Sequence, residues 1–384
     1  MRWCKLIYYF DNAATTRIKP EVLNAMIPYL SEEYGNPSSL YSIGRNAKRA
    51  LEDAREKVAK LINADKNEIY FTSCGSESDN TAIKGIAYRY NGKGNHIITS
   101  KIEHHAILES CKNLEKKGFK ITYLNVGKDG IVDLSELEKS INDRTILISI
   151  MFANNEIGTI QPIEEMAKIA KKHNVIFHTD AVQAVGNIPI DVKAMGIDML
   201  SISGHKINAP KGVGALYVRQ GIEFDKFING GHQERNKRAG TENLAEIVGF
   251  GKACEIAKNN LENHSKYLKE LREYFISELM KREKNIKING SMENRLPGNM
   301  NISIKGIDAT KLLLELDKKG ICISTGSACN SGEIAPSHVL TAIGLNSDDA
   351  KSAIRVTFGE YNTKEEIDYL IENICKSIWK NNNS

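Results

Sequence analysis

Between residues 69 and 218 the chain alternates short, wholly apolar runs with segments of helical periodicity, and this alternation narrows the fold more than any other feature. IYFT (69–72), HIIT (96–99), ITYL (121–124), TILISIM (145–151), VIFHTD (175–180), Met199 to Ile202 and Gly214 to Val218 read as strands. Helices are expected over 47–62, 77–90, 105–117, 134–141 and 163–172. Strands that are apolar throughout, not on alternate residues, belong to a mostly parallel sheet covered on both faces, so the fold class is α/β. Ligands of such sheets bind in the crevice beyond the carboxyl ends of the strands.

The unusual residues fall at those ends. The stretch Met199 to Val218 places Ser203, His205 and Lys206 in a polar turn between two strands. Burial of a lysine there favours its neutral, nucleophilic form, which can make a Schiff base with an aldehyde cofactor. Asp180 ends VIFHTD, 26 residues before Lys206. A buried aspartate needs a cation, and the protonated pyridine nitrogen of pyridoxal phosphate is one. Beyond IYFT, Ser73 to Glu77 open a helix whose free N–H groups suit a phosphate. Beyond HIITS come Glu103, His104 and His105, with His104 placed to stack on a planar cofactor. Beyond ILISIMFA come Asn154, Asn155, Glu156 and Gly158.

From Gly230 the character changes. GGHQERNKRAGTEN reads as a loop too polar to pack within its own subunit. A connector helix follows over about 245–280, then strands 299–304, 321–325 and 354–358 with helices 309–318, 337–342 and 364–379, a small second domain. Within it, Cys329 lies among small polar residues in STGSACNSGEIAPS, as an accessible thiol nucleophile would. Arg355 sits in the apolar IRVTF with no carboxylate nearby in sequence, and a substrate carboxylate would supply one.

Composition removes other classes. Net charge is +4 with both signs interleaved and no basic block mixed with aromatics, which argues against nucleic acid. No apolar run approaches the roughly 20 residues of a membrane helix, and MRWCKLIYYFDN lacks a signal-peptide core. The seven cysteines are scattered without a CxxC pair, which argues against a disulfide framework or a metal site and for a reducing cytoplasm.

Taken together, DNAATT, GNPSS, TSCGSESDN, EHHA, NNEIG, HTDAVQ, SGHKINAPKG, RAGTEN, TGSAC and IRVTFG, in this order over nearly the whole chain, resemble the pyridoxal phosphate-dependent cysteine desulfurases of the NifS/IscS type. The resemblance implies an aminotransferase-like fold (fold type I), with a large domain at 15–260 and a small α+β domain made of 1–14 and 261–384. It implies that sulfur is taken from L-cysteine, leaving alanine. Lys206 would carry the cofactor, Asp180 would pair with the pyridine nitrogen, His104 would stack on the ring and Gln183 would bond the phenolic oxygen. Gly75, Ser76, Ser203 and His205 would hold the phosphate, with Thr241 reaching it from a second subunit of a homodimer. Asn155 would lie near ring and substrate. Arg355 with Asn36 would clamp the substrate carboxylate, and Cys329 would become a persulfide that passes sulfur to an acceptor such as an iron–sulfur scaffold protein. The phosphate turn departs from the family, which more often has Gly-Ala-Thr before the Glu-Ser. Ser76 keeps the hydroxyl, and Cys74 reads as a neutral filler. Rival readings are an aminotransferase, which needs no thiol on the small-domain loop, a selenocysteine lyase, which would use the same clamp, and a non-catalytic docking protein, which has no use for Lys206, Asp180 and Cys329 together.

Overall fold

The computed structural model describes residues 7–325 and 336–382. Its strands are β1 (Tyr8–Tyr9), β2 (Ile69–Thr72), β3 (His96–Ser100), β4 (Lys120–Leu124), β5 (Thr145–Ser149), β6 (Ile176–Asp180), β7 (Met199–Ser203), β8 (Gly214–Val218), β9 (Ile286–Ile288), β10 (Asn299–Ile304), β11 (Ile321–Cys322), β12 (Ser324–Thr325) and β13 (Ala353–Thr357). Strands β2 to β8 make one seven-stranded sheet in the order β2-β8-β7-β6-β5-β3-β4. Only β8 in it pairs antiparallel with its neighbours.

Both faces of this sheet are covered, as the uninterrupted apolar strands require. Ile97, Leu147, Met199 and Leu216 pack on one face with Ile83, Ile86 and Ile107 of the helices Gly75–Tyr90 and His105–Glu115. Their sequence neighbours Ile98, Ile148, Leu200 and Ala215 pack on the other, with Leu51 and Val58 of helix Ser42–Leu61. Local rules agree with this packing. Helix Ile163–Lys172 buries Ile163, Met166, Ala167 and Ala170 along one stripe, with Glu164 and Glu165 in its first turn and Lys171 and Lys172 in its last.

A second core lies around the antiparallel sheet β12-β13-β10-β9. The helix Leu244–Arg282 serves both, with Leu244, Ile247 and Phe250 in the first core and Leu268, Phe275 and Leu279 in the second. Position 260 therefore falls inside a continuous helix of 39 residues, roughly 60 Å long. The expected strand 321–325 is split at Ile323, because β11 pairs with β1 while β12 pairs with β13. Helix Pro20–Ser31 was not foreseen.

The 230–243 segment corrects the expectation that it is too polar to pack within its own subunit. Glu234 is buried and ion-paired with buried Arg55, through Arg55 Nη1 at 2.7 Å and Nη2 at 2.8 Å. The same carboxylate accepts the Phe71 N–H, while Arg55 and Arg235 donate to the Ile69 carbonyl. These groups cap the free edge of β2, which would otherwise expose unpaired backbone. Three successive left-handed residues, Glu234, Arg235 and Asn236, with φ of 45°, 53° and 63°, turn the chain to make this fit. Glu234→Ala is expected to cost about 3–5 kcal/mol, since it strands a buried guanidinium and the Phe71 N–H. Denaturant unfolding checks this, and a loss within the roughly 0.5 kcal/mol of an ordinary surface change would refute it.

Candidate active site

The strand ends converge as the topology demands. Asp180 is the last residue of β6, buried, with Oδ1 accepting the Val182 N–H at 2.9 Å. Burial pushes its carboxyl up, and His104 and Lys206 pull it back down. Lys206 closes the short turn Gly204–Lys206 beyond β7, and its Nζ donates to the carbonyls of Ala13 at 2.5 Å and Ala14 at 2.7 Å. Gln183 donates to the same Ala13 carbonyl at 3.0 Å. His104 caps helix His105–Glu115, its Nδ1 accepting the Ala106 N–H, so Nε2 is the nitrogen left to carry a proton. The ring is reached by solvent yet enclosed by protein. Desolvation is the main reason its pKa is lowered, with Asp180 acting in the opposite sense.

Gly75, Val182 and Ser203 meet at the start of helix Gly75–Tyr90. A Cβ on Gly75 would lie 2.7 Å from Val182 Cγ2 and 3.4 Å from Ser203 Cβ, so only glycine lets that turn approach. The buried Ser203 hydroxyl has no hydrogen-bond partner among the described residues. Ser76, next to Gly75 in sequence, is exposed. His205 Nδ1 meets Thr15 Oγ1 at 3.1 Å, and burial pushes its imidazole down to about 4.

Arg355 lies on β13, where its Nη1 donates to the Asn155 carbonyl at 3.1 Å. Its Nη2 donates to Asp11 Oδ1 at 2.8 Å, a protein carboxylate 344 residues away in sequence and so not visible from the residues around Arg355. Arg355 Nε stays buried without a partner among the described residues. Asn36 sits in an exposed turn, accepting the Ser38 N–H, and no described hydrogen bond joins it to Arg355. Thr241 is exposed and makes no described contact with the other site residues. Cys329 lies outside the described residues.

Several residues around the site were not assigned from sequence. Ala13 to Thr16 brace the lysine turn, with Thr16 N–H and hydroxyl both donating to the His205 carbonyl at 2.9 Å. Beneath Asp180, His178 lies between Ser149 at 2.9 Å and Ser201 at 3.0 Å, and burial holds it neutral, pushed down to about 3. Asp79 reaches the same string, 3.9 Å from His178 Nε2. The available signal was the polar residue inside each apolar run: Ser149, His178 and Ser201.

Comparison with known proteins places these residues in context. The class-V aminotransferase family model matches residues 8–370. The cysteine desulfurase IscS of Dictyoglomus turgidum is 53% identical over 372 residues, covering 97% of this chain and 94% of its own. A solved NifS-like protein superposes with a TM-score of 0.92 at 42% identity, covering 97% of this chain and 99% of its own. SspA, solved in complex with cysteine, superposes at 0.82 with 38% identity, covering 92% and 99%.

Glu103 gives the site a measurable pH signature. It is fully buried, with Oε1 accepting Ser100 Oγ at 2.5 Å and the Met151 N–H at 3.0 Å, while Oε2 has no partner among the described residues. Burial pushes its carboxyl from about 4.5 up to about 8. The folded state therefore holds this proton to higher pH than the unfolded chain, and the carboxyl subtracts stability progressively as pH rises from about 4.5 towards about 8. Glu103→Gln keeps the acceptor and removes the titration. Its melting temperature should match the wild type near pH 4.5 and exceed it near pH 8. Parallel pH profiles for the two proteins would refute the assignment.

Proposed function

The chain belongs to the class-V aminotransferase family and, within it, to the cysteine desulfurases, and from that premise we propose that it takes sulfur from L-cysteine on pyridoxal phosphate held at the strand ends, leaving L-alanine. The observation that carries this reading is the meeting of Asp180, His104 and Lys206 at the carboxyl edge of the sheet. The cradle fits the cofactor: Gly75 lets the helix start close on Ser203, the buried Ser203 hydroxyl is unpartnered among the described residues, and Asp180 is a desolvated acid in want of a cation. Gly75, Ser76, Ser203 and His205 would hold the phosphate, Gln183 the phenolic oxygen and Asp180 the ring nitrogen, with His104 and Asn155 beside the ring. When bound, pyridoxal phosphate supplies an electron sink that stabilises negative charge developing at the substrate Cα.

The protein's own groups do the rest. Arg355 takes the substrate carboxylate; its unpaired Nε favours this, and Asp11 and the Asn155 carbonyl fix the orientation of the guanidinium. Asn36 joins this clamp by family resemblance. Lys206 removes the Cα proton, and neutral His104 exchanges a proton with substrate or thiol through Nε2. The Cys329 thiolate attacks the substrate sulfur: an S–S bond forms, the Cβ–S bond breaks, and its electron pair remains with carbon, which is protonated to alanine. The persulfide on Cys329 then carries sulfur to an acceptor such as an iron–sulfur scaffold protein.

We assign residues 15–260 to a large domain and 1–14 with 261–384 to a small one. The working unit is a homodimer in which Thr241 reaches the second subunit's phosphate. Leu23, Ile27 and Leu30 form an exposed stripe at 46%, 50% and 60%, with Tyr34 and Leu40 beyond it, a face suited to a second copy. No helix among the described residues is long and apolar enough to cross a membrane. The described cysteines are free, which supports a reducing cytoplasmic setting.

Five experiments test this. Purified protein given L-cysteine should release alanine. Lys206→Ala should lower turnover at least about a hundredfold. Cys329→Ala should keep the visible absorbance of the bound cofactor yet yield almost no alanine, and near wild-type turnover would make the enzyme a simple eliminating lyase. Arg355→Lys should raise KM for cysteine about 10- to 100-fold, the loss of a charged hydrogen bond. Ile27→Glu with Leu30→Glu should give a monomer by sedimentation, inactive for want of Thr241; an unchanged dimer would move the interface elsewhere.

A further inference from the structure

The turn that opens helix Gly75–Tyr90 holds a charge of the wrong sign for its task. Glu77 is buried in the first turn of that helix, where its Oε2 accepts the Ser73 N–H at 2.9 Å. This bond shapes the turn Ser73–Gly75. It also fixes a carboxylate at the helix end that has to receive a phosphate, and two anions at one helix terminus repel. Burial alone would push the Glu77 carboxyl up and let it take a proton. The bonds from Arg238 and Ser73 outweigh burial and hold it below its ordinary range, so the carboxylate stays charged.

Arg238 supplies the compensation. Its Nε donates to Glu77 Oε1 at 2.9 Å and its Nη2 to Oε2 at 3.3 Å, a forked contact across 161 residues of sequence. The arginine is delivered by the segment anchored through Glu234 to Arg55 and through Arg235 to Ile69 on β2. That strand leads directly into the same turn. One short stretch of chain therefore both covers the edge of β2 and places a guanidinium beside the turn's carboxylate.

We propose that Arg238 is the counter-ion of the phosphate turn: it neutralises Glu77, so that the carboxylate can organise the Ser73 N–H without repelling the phosphate of the cofactor. Both are positioning residues, and the proposal rests on the reading that Gly75 and Ser76 hold that phosphate. It makes a prediction that a purely structural role does not. Loss of the arginine harms binding of the phosphate-bearing ligand, and loss of the carboxylate repairs it.

The test is equilibrium titration of the full-length protein, stripped of cofactor, with pyridoxal phosphate and with pyridoxal, which lacks the phosphate. Arg238→Ala should weaken pyridoxal phosphate binding about tenfold or more, and pyridoxal binding by no more than about twofold. Adding Glu77→Gln to that variant should recover most of the loss, because glutamine keeps an acceptor for Ser73 and removes the charge. Glu77→Gln alone, which should fold normally, should bind pyridoxal phosphate as tightly as the wild type or more so. Several outcomes overturn the proposal: an unchanged affinity in Arg238→Ala, a loss equal for both ligands, a loss that Glu77→Gln does not repair, or a weakened Glu77→Gln single variant. Unrepaired loss would mean that Arg238 acts only by holding its segment, including Thr241, in place. Ser76→Ala separates the two levels. If it weakens pyridoxal phosphate selectively while Arg238→Ala does not, the phosphate reading stands and the counter-ion role falls. If neither has a selective effect, the phosphate lies elsewhere and both fall.

Discussion

A sheet covered on both faces can hold polar chemistry cheaply only where its strands stop, and here parallel strands stop together. Ser100, Ser149, Asp180 and Ser203 are the last residues of β3, β5, β6 and β7. The one reversed strand in the sheet, β8, begins at this edge with Gly214, paired with Ser203 and with Thr72. A Cβ at Gly214 would come within 2.6 Å of the Ile202 carbonyl and 2.9 Å of the Cys74 backbone. The missing side chain is what lets the turn before Gly75 lie against the strand end. Chemistry gathers at this edge because the parallel strands end there together, beside an open crevice.

The second dependence runs through the chain's beginning. Asp11 to Thr16 cross between the two cores and bond to both. Asp11 holds Arg355, the Ala13 N–H donates to Thr357 Oγ1, the Ala13 carbonyl receives Lys206 and Gln183, and Thr16 holds the His205 carbonyl. Some of the hydrogen bonds that fix the small core against the large sheet thus also orient the lysine and the arginine. This explains why a stretch of small residues with little apolar surface is packed so centrally.

Apolar continuity made the sheet legible in sequence, since a run such as TILIS has one favourable environment, and helix Ile163–Lys172 was readable to the residue from its stripe and terminal charges. Asp180 and Lys206 were legible because a charge at the end of such a run demands a partner. What escaped were pairings over long separations. Nothing near Arg355 in sequence names Asp11, and nothing in GGHQERNKRAGTEN tells Glu234 from its polar neighbours, because only the folded chain brings Arg55 to it. Ser149, His178 and Ser201 were hidden for the opposite reason: each is a single polar residue in an apolar strand, and only their lateral register makes them a string.

That string bears on why one buried acid, and not its neighbour, suits a cationic ring. Burial raises both Asp79 and Asp180, and the charge of Asp180 raises Asp79 further. Asp79 is the deeper, with a bond from Ser201 as its main compensation and Glu103 adding to its burden, so its carboxyl is raised well above the ordinary value. Asp180 has the Val182 N–H, His104 and Lys206 to offset its burial, and it ends its strand at the open edge. Of the two acids, Asp180 therefore has more beside it to offset its burial. His178, held neutral by burial, supplies no cation to Asp180 from below. The groups that offset the burial of Asp180, namely the Val182 N–H, His104 and Lys206, lie at the open strand end, where ligands of such sheets bind.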